Sequence, residues 1–159
     1  MSLLQPVPGP IVQFADLERA VCRTLAEWVP FYLAYIDEEA DRERGTTTAP
    51  RYYDAASDNS NRWLEETPPA VLVVAEGTTK DPERHGKSAA YGAWFQVNIG
   101  VTASGATEAG SRDLASRLGA AITYVVAQQG DFDGVVERTE WRGTRVDELD
   151  RKRSQMIAE

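Results

Sequence analysis

Apolar residues recur three and four positions apart along the first third of the chain, at Leu17, Val21, Leu25, Trp28, Tyr32 and Tyr35/Ile36. That spacing predicts one face of an amphipathic helix. Asp16 is the expected N-cap, with Glu18 in the first turn against the helix dipole. Pro30 removes one backbone donor, but the stripe keeps its phase across it. The reading is one kinked helix that decays through Asp37–Arg44 and stops at Gly45. The segment before it, Met1–Ala15, is broken by Pro6, Pro8, Gly9 and Pro10 and is read as a Pro-rich arm.

The period then disappears. Thr46–Pro69 reads as a long loop whose apolar anchors are Tyr52, Tyr53, Trp63 and Leu64, beside Arg51. Ala70–Ala75 is a β-branched-rich run between Pro69 and Gly77, expected to be a buried strand. Thr78–Ala90 reads as a hairpin loop. Tyr91–Thr102 alternates, with Phe95, Val97, Ile99 and Val101 on one face and Trp94, Gln96, Asn98 and Thr102 on the other, which predicts a second strand. After a turn at Ser104–Thr107, Leu114, Leu118, Ile122 and Val125/Val126 form the stripe of a second helix from about Glu108 to Gln129, closed by Gly130. Val135–Trp141 is expected as a third strand, and Val146 and Leu149 as an edge of the sheet. The expected class is α+β: a mostly antiparallel sheet of about four strands, with two main helices packed on one face.

The chain has 159 residues, which points to one domain of residues 16–149 between an arm of residues 1–15 and a short tail of residues 150–159. With 25 acidic and 17 basic residues the net charge is −8, which argues against a dedicated DNA-binding domain, because duplex affinity comes from Lys and Arg on phosphates. A single cysteine, Cys22, excludes an internal disulfide and any CxxC zinc spacing, and its place in the helical stripe reads as a small buried hydrophobe. Met1–Pro10 has neither a basic start nor an apolar stretch of secretory type, so the expected setting is the reducing cytoplasm.

Catalytic chemistry has little to build on. His85, the only histidine, lies in the charged stretch Asp81-Pro82-Glu83-Arg84-His85-Gly86-Lys87 and reads as exposed. Gly86-Lys87-Ser88 resembles the end of a phosphate loop, yet Asp81 stands where the motif's first glycine belongs. Asp37, Glu38, Glu39 and Asp41 lack calcium-loop spacing and read as a solvated helix end. Asp131 and Asp133 around Phe132 read as a turn. No GxSxG elbow occurs. The expectation is therefore no enzyme, no cofactor and no metal.

Trp28-Val29-Pro30-Phe31-Tyr32-Leu33-Ala34 resembles the kinked helix of tail-terminator proteins from long-tailed phages of actinobacterial hosts. Pro69–Val74 with Gly77-Thr78 resembles that family's first strand and turn, and Trp94–Val101 with Ser104-Gly105 its second. Leu114–Ile122 is similar to its second helix, and Gly134–Gly143 with Val146-Asp147-Glu148-Leu149 to its closing strand and turn. Relatives carry a further alternating strand after that turn, where this chain runs into Ser154–Glu159, and the Asp81–Ser88 stretch is more charged than theirs.

The resemblance implies a structural subunit of the virion neck, assembled in the host cytoplasm. It implies a homo-hexameric ring that caps the tail tube, touches the major tail tube protein on one face and a head-completion (stopper) protein on the other, and lets DNA through its lumen without specific binding. It transfers no catalytic or cofactor residue and implies no membrane. On this reading Lys80, Asp81, Glu83, Arg84, His85 and Lys87 are expected to contact a partner, and Arg51, Tyr52, Tyr53 and Trp94 a neighbouring subunit. Two other readings remain: another neck or stopper subunit, and a small-molecule-binding α+β domain, which needs a pocket with convergent polar groups.

Overall fold

The computed structural model describes residues 13–43, 46–56, 68–80, 93–136, 139–144, 146–150 and 155–158. Two helices and a mixed sheet make an α+β protein, as expected. The elements are α1 (Phe14–Glu39), β1 (Arg51–Asp54), β2 (Ala70–Lys80), β3 (Ala93–Ser104), α2 (Glu108–Gln128), β4 (Val146–Asp150) and β5 (Gln155–Ala158), with sheet order β1-β2-β3-β5-β4. The β1–β2 pair is parallel and the others are antiparallel.

Alternation in β2 and β3 sets the core. Val71 faces Val101 and Val73 faces Ile99 across the ladder, while Ala75 faces Val97. Val71, Val73 and Val101, with Val97 and Ile99 beside them, meet Leu17, Val21 and Leu25 of α1 and Leu118, Ile122 and Val125 of α2 in one apolar cluster. Gln96 and Asn98 on the opposite face are exposed. The two helices thus cover one face of the sheet. Small residues let them approach: Ala115 and Ala121 of α2 are fully buried.

Helix α1 runs unbroken through Pro30 for 26 residues. It starts before the expected cap. Gln13 is the N-cap and makes no side-chain cap bond, and Asp16 lies inside the first turn. Phe14 packs edge-on against Phe95 at 5.9 Å, which holds the extra turn. The helix also stops earlier than Gly45. Asp41 takes a left-handed φ of 53°, its amide donates to the Glu38 carbonyl, and the Arg42 amide donates to the Asp37 carbonyl. That pair of bonds is a Schellman closure, made here by aspartate in place of glycine.

Four further segments differ from the sequence reading. Arg51–Asp54, expected as loop, adds to β2 as an edge strand. Strand β2 continues past Gly77, which at φ 82° sits in a bulge between Ala75 and Thr78, so Thr78, Thr79 and Lys80 belong to the ladder. In the segment expected as a third strand, Val135–Trp141, no described residue is in a strand. Phe132, Asp133 and Gly134 all have positive φ, and this tight turn buries Phe132 and packs Val135 and Val136 on the core. The apolar run is a plug under α2, where hydrophobic burial overrides β-propensity. Finally, Gln155–Ala158, read as tail, forms β5 between β3 and β4.

A buried carboxylate joins helix to sheet. Glu18 is 3% exposed; its two oxygens accept from the backbone amides of Ala75 (2.8 Å) and Ala56 (2.9 Å). It serves the place where the chain leaves the β1–β2 ladder and an amide would otherwise be orphaned. Gly105 is tight for another reason: a Cβ there would lie 2.8 Å from backbone atoms of Gly110 and Ser111.

Glu18→Ala is expected to lower unfolding free energy by roughly 3 kcal/mol, because two buried amides lose a charged acceptor. Leu25→Ala should cost about 2–5 kcal/mol through its cavity. Urea denaturation of both variants checks these values, and a loss below about 1 kcal/mol for Glu18→Ala would contradict the assigned role.

Candidate interaction surface

The outward surface of the helix pair follows from how α1 turns. An α-helix advances about 100° per residue, so a row of every fourth residue drifts about 40° per step. The buried row is Leu17, Val21, Leu25, Val29, Leu33 and Asp37, and it swings about 200° around the helix from one end to the other. Its first half faces the sheet, where Glu18 reaches Ala75. Its last residue, Asp37, is held beside Arg117 of α2. Trp28, Phe31, Tyr32 and Tyr35 stay within about 60° of Leu17 in helical phase. They therefore continue the face that is buried at the start of α1, with Trp28 and Tyr32 half-buried against the core and Phe31 and Tyr35 exposed.

These aromatics form a connected ridge. Phe31 is 63% exposed, Tyr35 50% and Tyr124 of α2 48%. Trp28 meets Phe31 edge-on at 6.4 Å and Phe31 meets Tyr32 edge-on at 5.3 Å. Tyr32 stacks on Tyr124 at 5.7 Å with 14° between planes, which carries the ridge across to α2. No charged side chain occurs from Trp28 to Ile36 or from Leu118 to Gln128. In a chain of net charge −8, that is a neutral aromatic window. Contiguous apolar exposure of this kind marks an interaction site, and aromatics are enriched at interface centres.

Beside it, the C-terminal end of α1 is fastened by a polar network. Asp37 is fully buried, so it leaves the set read as a solvated helix end, while Glu38, Glu39 and Asp41 are exposed as expected. Its carboxylate accepts from the Thr47 amide at 3.0 Å and from the Thr47 hydroxyl at 2.7 Å. Arg117 donates to Thr47 Oγ1 at 2.7 Å, lies 3.7 Å from Asp37, and also bonds Asp113, which Arg42 approaches at 3.7 Å. Burial pushes the Asp37 carboxyl up, but the two Thr47 bonds and the charges of Arg117 and Arg42 outweigh it and hold it below its usual range.

Cys22 is no nucleophile. Burial, with help from Asp54 and Glu18, pushes its thiol up to about 12, and its Sγ donates to the Tyr53 carbonyl at 3.4 Å. Tyr52 packs on the same core, and burial raises its phenol. Among the described residues no cluster of three or more histidine, cysteine, aspartate or glutamate side chains has the geometry of a metal site, and no helix is long and apolar enough to cross a membrane.

The residues singled out from sequence fall in three places. Arg51, Tyr52 and Tyr53 lie together on edge strand β1, Arg51 exposed and the tyrosines half-buried. Trp94 is on β3 opposite Thr79, and Lys80 ends the β2 register opposite Ala93. Asp81, Glu83, Arg84, His85 and Lys87 lie outside the described residues. Of the stripe expected to face the core, Trp28 and Tyr32 do pack on it, but Tyr35 is exposed, as is Phe31, which the spacing puts on no face. The available signal was the change from aliphatic to aromatic residues along a single phase. No protein-family model, curated protein or solved structure matches this chain.

Asp37 contributes stability that is fully present above its ordinary value of 3.8 and fades as pH falls below that toward the lower folded value. Asp37→Asn should therefore flatten the acid limb of a melting-temperature profile below pH 4 relative to wild type; an unchanged limb would contradict the network. Native Cys22 should react with a thiol reagent at least about 100-fold more slowly than in denaturant, read by absorbance.

Proposed function

We propose that this chain is a structural subunit of a long-tailed phage, a tail terminator whose copies close into a six-fold ring on the end of the tail tube and join it to the head-completion protein. The observation that supports this reading best is the neutral aromatic ridge from Trp28 to Tyr35 and Tyr124, in which Phe31, Tyr35 and Tyr124 are left exposed by their own domain. Association through such a ridge makes no bond and needs no cofactor. Covering one aromatic removes enough apolar surface to contribute on the order of 1 kcal/mol or more. A heterologous contact repeated by a fixed rotation closes into a ring. The acidic balance suits a lumen through which DNA slides without sticking.

The β1 edge, with Arg51, Tyr52 and Tyr53, supplies a second element of the ring contact in this proposal, since an edge strand is a template for pairing with another chain. The stretch Asp81–Lys87 meets the tube or the stopper. The protein acts in the host cytoplasm during assembly and afterwards in the virion neck.

Sedimentation and electron microscopy of the protein mixed with purified tail tubes test the proposal. Six-fold rings on tube ends are expected, and Phe31→Ser with Tyr35→Ser should remove them while the melting temperature stays within about 2 °C, because both side chains are already exposed. Tubes that never acquire a cap, or saturable turnover of a small substrate by the purified chain, would overturn it.

A further inference from the structure

The aromatic ridge has a match in the chain's own sequence. Met1–Gln13 contains no charged residue and carries Leu3, Leu4, Val7, Ile11 and Val12 among Pro6, Pro8 and Pro10. Such a segment gains by covering its apolar side chains. Prolines at alternate positions fix φ and favour an extended course with few conformations to lose on binding. Grooves lined by tryptophan and tyrosine are the recurrent docking surface for that kind of sequence. Both surfaces are neutral in a chain of net charge −8, so they are the parts of two copies that approach without repulsion.

Direction decides between the same copy and another. The arm joins α1 at Gln13, whose backbone is extended with φ −92° and ψ 157°. The ridge begins 15 residues further along the helix at Trp28, about 22 Å away, and reaches about 33 Å at Tyr35. To cover it in the same copy, the chain has to double back before Gln13 and run alongside α1, a reversal that prolines at alternate positions oppose. A straight arm meets the ridge of a neighbour.

We propose that the Pro-rich arm of one subunit, Leu3–Val12, docks on the Trp28–Phe31–Tyr32–Tyr35–Tyr124 ridge of the adjacent subunit and latches it. The assignment rests on the ring reading for the presence of a neighbour, and on the ridge and arm for the contact. The latch makes the interface directional: each copy gives one arm and receives one, as a head-to-tail ring requires.

The full-length chain tests this with a benzophenone-bearing amino acid in place of Val7, prepared in light and heavy nitrogen isotopes, mixed at the highest attainable concentration and irradiated. Mass spectrometry should find Val7-position adducts on the peptides holding Trp28–Tyr35 or Tyr124, with mixed light–heavy pairs as frequent as random pairing gives. Phe31→Ser with Tyr124→Ser should reduce those adducts at least about tenfold, while circular dichroism stays unchanged. Adducts confined to one isotope, adducts elsewhere on the surface, or no adducts would each overturn the latch. Sedimentation of the same samples separates the two readings: a six-fold ring with adducts elsewhere sinks only the latch, whereas ridge adducts in an open, non-closing assembly sink the ring and leave the latch standing.

Discussion

Helix α1 has to satisfy two partners that lie on different sides of it. Near its start it packs on the sheet, with Leu17, Val21 and Leu25 against Val71, Val73 and Val101. Near its end it packs on α2, with Asp37 beside Arg117. A row of every fourth residue connects the two contacts because that row rotates slowly around the helix. The aromatic ridge is the geometric remainder of this arrangement. Trp28 and Tyr32 still rest on the core, and Phe31 and Tyr35 beside them stand out from it.

The two buried carboxylates of α1 hold the remainder in place. Glu18 accepts from amides of the β1 exit and of β2, and Asp37 accepts from Thr47 while Arg117 neutralises it. Each carboxylate pins one end of the helix to a different element. A helix fastened at both ends presents Phe31 and Tyr35 in a fixed direction, which limits the entropy lost when a partner covers them. The Schellman closure at Asp41 and Arg42 serves the same end, turning the chain toward Thr47 so that it can reach Asp37.

This design suits recognition by surface fit. The thiol of Cys22 is protonated and hydrogen-bonded to backbone, and the Asp37 carboxylate spends its acceptors on Thr47. The exposed stretch of the ridge, Phe31, Tyr35 and Tyr124, is aromatic and neutral. The proposed ring subunit needs surfaces that close on copies of themselves and on a tube, and the ridge and the β1 edge are the two that the proposal assigns to that task.

Sequence alone determined the α+β class, the two helices and the two central strands, because their periods of 3.6 and 2 are local properties read directly from Leu17–Leu25, Leu114–Val126 and Phe95–Val101. Tertiary structure decided what pattern could not. It made Arg51–Asp54 a strand, because β2 offered an open edge, and it made Val135–Val136 a plug, because the turn at Phe132–Gly134 folds them under α2. It also decided which half of one continuous apolar stripe became core and which became surface. Periodicity reports that a face is apolar; whether anything covers that face depends on elements distant in sequence, and here Val29 and Leu33 are covered while Phe31 and Tyr35 are not.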